Sequence, residues 1–130
     1  MSFGFSLGDF ITVPTLAWQV YKSCKDSSDD FKTVADDVVA LHIVLSEVVE
    51  PLKVQPISSP RQAHLAALTR TCQAVLNDLE KLLQKYDSLG SQSQRTWDRM
   101  RWGLEDISQL RGRLSNSTAM LTAFNTSLIW

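Results

Sequence analysis

The stretch Asp29-Asp30-Phe31-Lys32-Thr33-Val34-Ala35-Asp36-Asp37-Val38-Val39-Ala40-Leu41-His42-Ile43-Val44-Leu45-Ser46-Glu47-Val48-Val49-Glu50-Pro51-Leu52 decides the fold class. Within it Phe31, Val34, Val38, Leu41, Leu45, Val48 and Leu52 recur at spacings of three and four. That period places them on one face of an α-helix and is incompatible with a half-buried strand. Asp29 and Asp30 stand where carboxylates accept orphan N–H groups and meet the positive helix end. Pro51 has no N–H to donate and restricts Glu50, so the helix is expected to stop or kink sharply there.

Downstream, Ser59-Pro60-Arg61-Gln62 reads as a capping box with proline at the first helical position, after a linker over 51–59. A third segment follows from Pro60 to about Ser88, with a seam of Leu65, Leu68, Cys72, Val75, Leu79, Leu82, Tyr86 and Leu89, closed by Gly90. The short linker predicts that the second and third helices pair antiparallel through their seams. A fourth segment begins near Ser91–Ser93 and follows Trp97, Met100, Leu104, Ile107, Leu110, Leu114, Leu121, Phe124 and Leu128. If continuous it spans roughly 50 Å, and Gly103, Gly112 and the polar run Ser115–Thr118 are candidate breaks.

Upstream, Asp9 is the only charge between Ser2 and Tyr21, while most of that segment is apolar. A helix is expected from Gly8 or Asp9 to near Cys24, with Pro14 producing a kink or a later start. Its length approaches the ~20 residues that cross a bilayer, but it equally suits a helix covered on most sides in a bundle. Phe10, Val13, Ala17 and Tyr21 mark one apolar line, and Leu7, Ile11 and Trp18 a neighbouring one. The fold class is therefore all-α: one four-helix-bundle-like domain over 1–130, with a hydrophobic N-terminal helix and a long C-terminal helix. The apolar end Leu128-Ile129-Trp130 suggests the N-terminal module of a longer protein.

A chain of 130 residues, 44% hydrophobic and 21% charged, matches an ordinary globule. Net charge is −1, which gives no general attraction to nucleic acid. Residues 1–50 hold eight acids and three bases (−5), and 51–130 hold six acids and ten bases (+4), a split that favours packing of the two halves on each other. Two cysteines, Cys24 and Cys72, make no disulfide framework, and no secretory signal precedes the sequons at Asn116 and Asn125. Ser2 excludes myristoylation. A cytoplasmic, reduced protein is expected.

Chemistry is sparse. His42 and His64 lie on different helices, and no HExxH, CxxC or phosphate-binding glycine loop occurs. Asp36-Asp37 and Glu105-Asp106 are consecutive pairs that diverge on a helix, so neither forms an acid/base dyad. An enzyme is not expected, and neither is a cofactor or metal. The one concentrated constellation is Arg95, Trp97, Arg99, Arg101, Trp102, Arg111 and Arg113. Interleaved arginine and tryptophan suits an anionic lipid surface or a partner protein, and more remotely a nucleic-acid strand. The competing view is structural, because Trp97 lies on the seam and the acidic second helix can pair with the arginines.

The opening Ser2-Phe3-Gly4-Phe5-Ser6-Leu7-Gly8-Asp9-Phe10, then Trp18-Gln19-Val20-Tyr21-Lys22-Ser23-Cys24-Lys25-Asp26, resemble the HeLo-like N-terminal domains of fungal NOD-like and other STAND-type receptors. Thr96-Trp97-Asp98-Arg99, Trp102-Gly103-Leu104-Glu105-Asp106-Ile107 and Leu121-Thr122-Ala123-Phe124 look like the same group. The resemblance implies a cytosolic bundle distantly similar to the four-helix domain of the necroptosis pseudokinase. Its implied task is regulated cell death, through self-association and action of the first helix on anionic membranes after activation. Pro14 departs from a smoothly insertable first helix. Phe3, Phe5, Leu7, Phe10, Ile11 and Trp18 are then the membrane or oligomer candidates, and Arg95, Arg99, Arg101, Arg111 and Arg113 the anionic-surface candidates. The alternative is a homotypic adaptor domain that binds a related helical domain and never touches lipid.

Overall fold

The computed structural model describes residues 7–27, 29–54, 57–88 and 93–128, with side chains described outside 7–9, 30, 87–88 and 93–105. Four α-helices follow one another: α1 Leu7–Lys25, α2 Asp29–Val54, α3 Ser59–Ser88 and α4 Ser93–Leu128. They pack on each other as an all-α bundle.

Each helix contributes a stripe to one core. The whole seam of α2 from Phe31 to Leu52 is buried. In α3 the seam Leu65–Tyr86 is joined by a second buried line through Leu76 and Leu83, because this helix packs on both α1 and α4. Leu89 and Gly90 lie outside the described residues. The inward line of α1 is Phe10, Val13, Ala17, Val20 and Cys24. The line expected through Tyr21 is rotated slightly: Val20 and Cys24 take the core positions and Tyr21 is half-buried.

Helix adjacency departs from expectation. The helix α2 packs on α1 and α4, and α3 packs on α1 and α4, but among the described residues no α2 Cα lies within 8 Å of an α3 Cα. The two seams therefore occupy diagonal corners and do not pair directly. Their side chains still meet across the core, as Phe31 and Tyr86 do edge-to-face at 4.9 Å between centroids. That contact joins the start of α2 to the end of α3, so the two run antiparallel. The connection can manage the diagonal because Val54 to Ser59 is five peptide steps, a reach of about 17 Å, against a diagonal of about 14 Å for helices roughly 10 Å apart.

Several local expectations shift. The helix α2 runs through Pro51 to Val54. Proline forfeits only the bond to the Glu47 carbonyl, and so near the helix end the remaining turn persists. The cap of α3 is Ser58, not Ser59: the Arg61 amide donates to Ser58 Oγ over 3.4 Å and the Gln62 amide to the Ser58 carbonyl over 2.9 Å. Pro60 thus sits in the second helical position, still among the N–H groups that need no intrahelical partner. The helix α1 includes Pro14 without interruption.

The helix α4 is continuous over 36 residues, about 54 Å. A Cβ at Gly112 would meet open space, so that glycine imposes no close approach. The polar run stays helical because its hydroxyls bond to the preceding turn: Thr118 donates to the Leu114 carbonyl and Thr122 to that of Thr118, both at 2.8 Å. Ser117 completes the heptad line Ile107, Leu110, Leu114, Leu121 and Phe124, and is buried. The last turn of α4 has no basic residue of its own. Arg61 of α3 supplies the cation instead, donating to the Ser127 carbonyl at 2.9 Å.

Candidate functional site

The face of α1 opposite its core stripe is the most apolar surface tied to the expected function. Ile11 is 41% exposed and Trp18 44% exposed. Seven residues apart, they lie two turns from each other on one side of the helix. From Phe10 through Tyr21 the sequence holds no charge, and the same face then ends on exposed Lys22 and Lys25, four and seven residues beyond Trp18. Phe10 belongs to the other side: it is fully buried, and reaches a membrane or partner only if α1 leaves the bundle. The side chain of Leu7 lies outside the described residues, as do Phe3 and Phe5 altogether.

Trp18 is held in an aromatic group. Its ring lies 5.1 Å from Tyr21 and 5.3 Å from His42, both tilted. His42 reaches from α2 to the proline turn of α1, where its Nδ1 donates to the Pro14 carbonyl over 3.0 Å. A carbonyl only accepts, so the proton must sit on Nδ1. Proline brings no N–H to the Phe10 carbonyl, and the histidine ties the same turn to α2. The partly buried structural histidine expected from its neighbours is found there, with Trp18 as a contact that spacing on α2 alone could not reveal. His64 is exposed, its ring edge-on to Phe124 at 5.5 Å.

The arginines do not gather on one described surface. Arg111 bonds Asp37 of α2 and Arg113 bonds Asp78 of α3, each at 2.7 Å. Two residues apart on a helix they point to opposite flanks, so they tie α4 to both neighbours. The hydrogen bond to Asp37, followed by its charge, raises the Arg111 guanidinium above its ordinary value. The Arg111–Asp37 pair crosses the acidic and basic halves, as the charge split anticipated. The side chains of Arg95, Arg99 and Arg101 lie outside the described residues.

Both cysteines are buried and unpaired. Burial pushes the Cys24 thiol up to about 12 and the Cys72 thiol up to about 11. Ser117 lies beside Cys72 and slightly opposes that rise, although its Oγ makes no hydrogen bond of ordinary geometry. Such thiols are packing groups at neutral pH. Among the described residues no three or more His, Cys, Asp or Glu side chains come together as a metal cluster. Among them, too, no helix is long and apolar enough to cross a membrane. No family model matches this chain, and no curated protein or solved structure matches it.

Proposed function

We propose that the chain is a non-enzymatic effector domain of cell-death or immune signalling. In this reading it resides in the cytoplasm, self-associates, and engages anionic membranes through its first helix on activation. The observation that supports this most is the exposure of Ile11 and Trp18 on a face of α1 that holds no charge until Lys22 and Lys25 in its last turn. An interfacial helix of this kind lies in the headgroup boundary and does not need the length or uniform apolarity of a spanning one. The resemblance of the opening block to HeLo-like domains points the same way.

A second reading is favoured by a separate observation. Phe10, Val13, Ala17, Val20 and Cys24 of α1 are committed to the core, and among the described residues no helix is long and apolar enough to cross a membrane. An adaptor that binds a related helical domain uses such a surface without lipid.

Leakage and co-flotation with vesicles containing phosphatidylserine test the two readings on the full chain. The effector reading expects both, and expects Ile11→Glu with Trp18→Glu to abolish them at unchanged helical circular dichroism. Self-association without any lipid effect transfers the function to the adaptor reading.

A further inference from the structure

His42 fixes which side of α2 meets α1, since its ring stands against Trp18 and its Nδ1 against the Pro14 carbonyl. Val39, three residues before it, and Ser46, four after, lie along the same groove and are half-buried. Ile43 comes four after Val39 and three before Ser46, so it stands just outside that groove, 53% exposed. On α1 the rim of the groove is Trp18 and, two turns earlier, Ile11. Among the described residues five large apolar side chains are exposed, and three of them, Ile11, Trp18 and Ile43, share the side of the bundle that α1 and α2 form together.

We infer that this two-helix side lies in the headgroup boundary of a membrane while α1 is still packed in the bundle, with Ile43 of α2 as its third anchor. The inference rests on the lipid reading of the proposed function and adds to it a second helix and a docked state that α1 enters without leaving. Withdrawing α1 would uncover its fully buried stripe from Phe10 to Cys24, whereas docking the outer side uncovers nothing.

Charge on this side nearly cancels and does not choose the occupant. Lys32 pairs with Asp29 at 2.9 Å and Lys53 with Glu50 at 3.2 Å, and exposed Asp26 and Asp36 stand against Lys22 and Lys25. The side chains themselves choose it. Trp18 and Tyr21, 5.1 Å apart, are apolar rings with polar tips, which suit the level of the headgroups. Three side chains about half exposed offer on the order of 300 Å², against the ~800 Å² that each partner of a stable protein pair covers. A bilayer needs neither that area nor a matching shape. From Phe10 to Lys25 α1 carries two lysines and no acid, whereas Asp36 and Glu50 belong to α2. The α1 edge therefore sits deeper, with the stems of Lys22 and Lys25 along the surface and their ammonium groups among the phosphates.

The test is co-flotation of the full chain with vesicles of phosphatidylcholine and phosphatidylserine, for wild type, Ile43→Glu, Ile43→Ser and Met120→Glu. Met120 is 40% exposed, much as Ile11 is, but sits on α4, which does not touch α1 among the described residues. Ile43→Glu should float about tenfold more weakly or worse at unchanged helical circular dichroism. Ile43→Ser should lose less, and Met120→Glu should float as wild type does. Should Ile43→Glu unfold, the weaker flotation of Ile43→Ser decides alone. Flotation of the folded Ile43 variants at wild-type strength, while Ile11→Glu with Trp18→Glu no longer floats, overturns the two-helix side and leaves the first helix as the lipid-binding element. Equal loss in Met120→Glu overturns it too, because added acidity anywhere would then suffice. A wild type that never floats overturns this inference and the lipid reading together. If that wild type self-associates and Ile43→Glu does not, the side belongs to a second copy.

Discussion

The helices α1 and α2 lie side by side and both give a fully apolar stripe to the core, yet they treat their remaining surface in opposite ways. In α2 the positions facing away carry Asp36, Glu47 and Glu50, which want water and hold that face outward. In α1 the corresponding positions carry Ile11, Thr15 and Trp18. An acidic outer face fixes which side of a helix is buried. The α1 line meets charge only at its end, in Lys22 and Lys25, so its stretch from Ile11 to Trp18 can trade water for another apolar surface without desolvating a carboxylate.

Truncation on the two sides of α1 should sharpen this contrast most. Phe10→Ala removes a fully buried ring and should cost about 3–5 kcal/mol, whereas Ile11→Glu, on the outer side, should change stability by less than about 0.5 kcal/mol. Urea unfolding measures both. Equal losses would show that α1 has no free side. Leu41→Ala on α2 belongs with Phe10→Ala, at about 2–5 kcal/mol.

A smaller effect should appear in alkali. Both buried thiols hold their protons more tightly in the fold than an ordinary thiol, which releases its proton at 9.0. Their contribution is thus complete below pH 9 and is lost as pH rises towards about 11 and 12. The double variant Cys24→Ala/Cys72→Ala should start less stable and decline less between about pH 9 and 11 by urea unfolding. Parallel decline in both proteins would show that the thiols do not report on the fold.

The smallest expected effect tests the join between the two helices. His42→Ala removes the hydrogen bond to the Pro14 carbonyl and the ring beside Trp18, and should cost about 1 kcal/mol. Hydrogen exchange should rise in α1 around Pro14 more than in α3. Uniform change across the bundle would mean that His42 is ordinary packing.

Much of this architecture was legible as periodicity. The seams of α2 and α3 are buried as their spacing predicts, since a heptad line of apolar residues has nowhere else to go. Adjacency was not legible, because a seam says which face is buried and not against which neighbour. Reading Pro51 as a stop also lengthened the apparent linker and concealed a tighter diagonal connection. Ser117 escaped notice because it is polar, although the phase running through Leu114 and Leu121 passes over it. In α1, Tyr21 and Cys24 compete for the same phase, and the small thiol wins the interior. On the candidate site, the uncharged run singled out Ile11 and Trp18, which the fold leaves partly exposed, while no spacing on one helix could disclose His42 across the gap. For Arg111 the signal was present in the opposed charges of the two halves, but it named no partner; Arg113 and Asp78 both lie in the basic half, so the split carried no signal for their pair.

The diagonal connection has a topological consequence. Among the described residues the four helices touch in a closed cycle, α1 to α2 to α4 to α3 and back, and each has two neighbours. Deleting any one node from a cycle leaves the other three linked as an open path. If α1 swings away, α2 and α3 both keep their grip on α4, reinforced by Arg111–Asp37 on one flank and Arg113–Asp78 on the other. In contact topology α4 is thus the spine of the remainder, but the stripe from Phe10 to Cys24 is fully buried, so α1 can leave only where another apolar surface covers what it exposes.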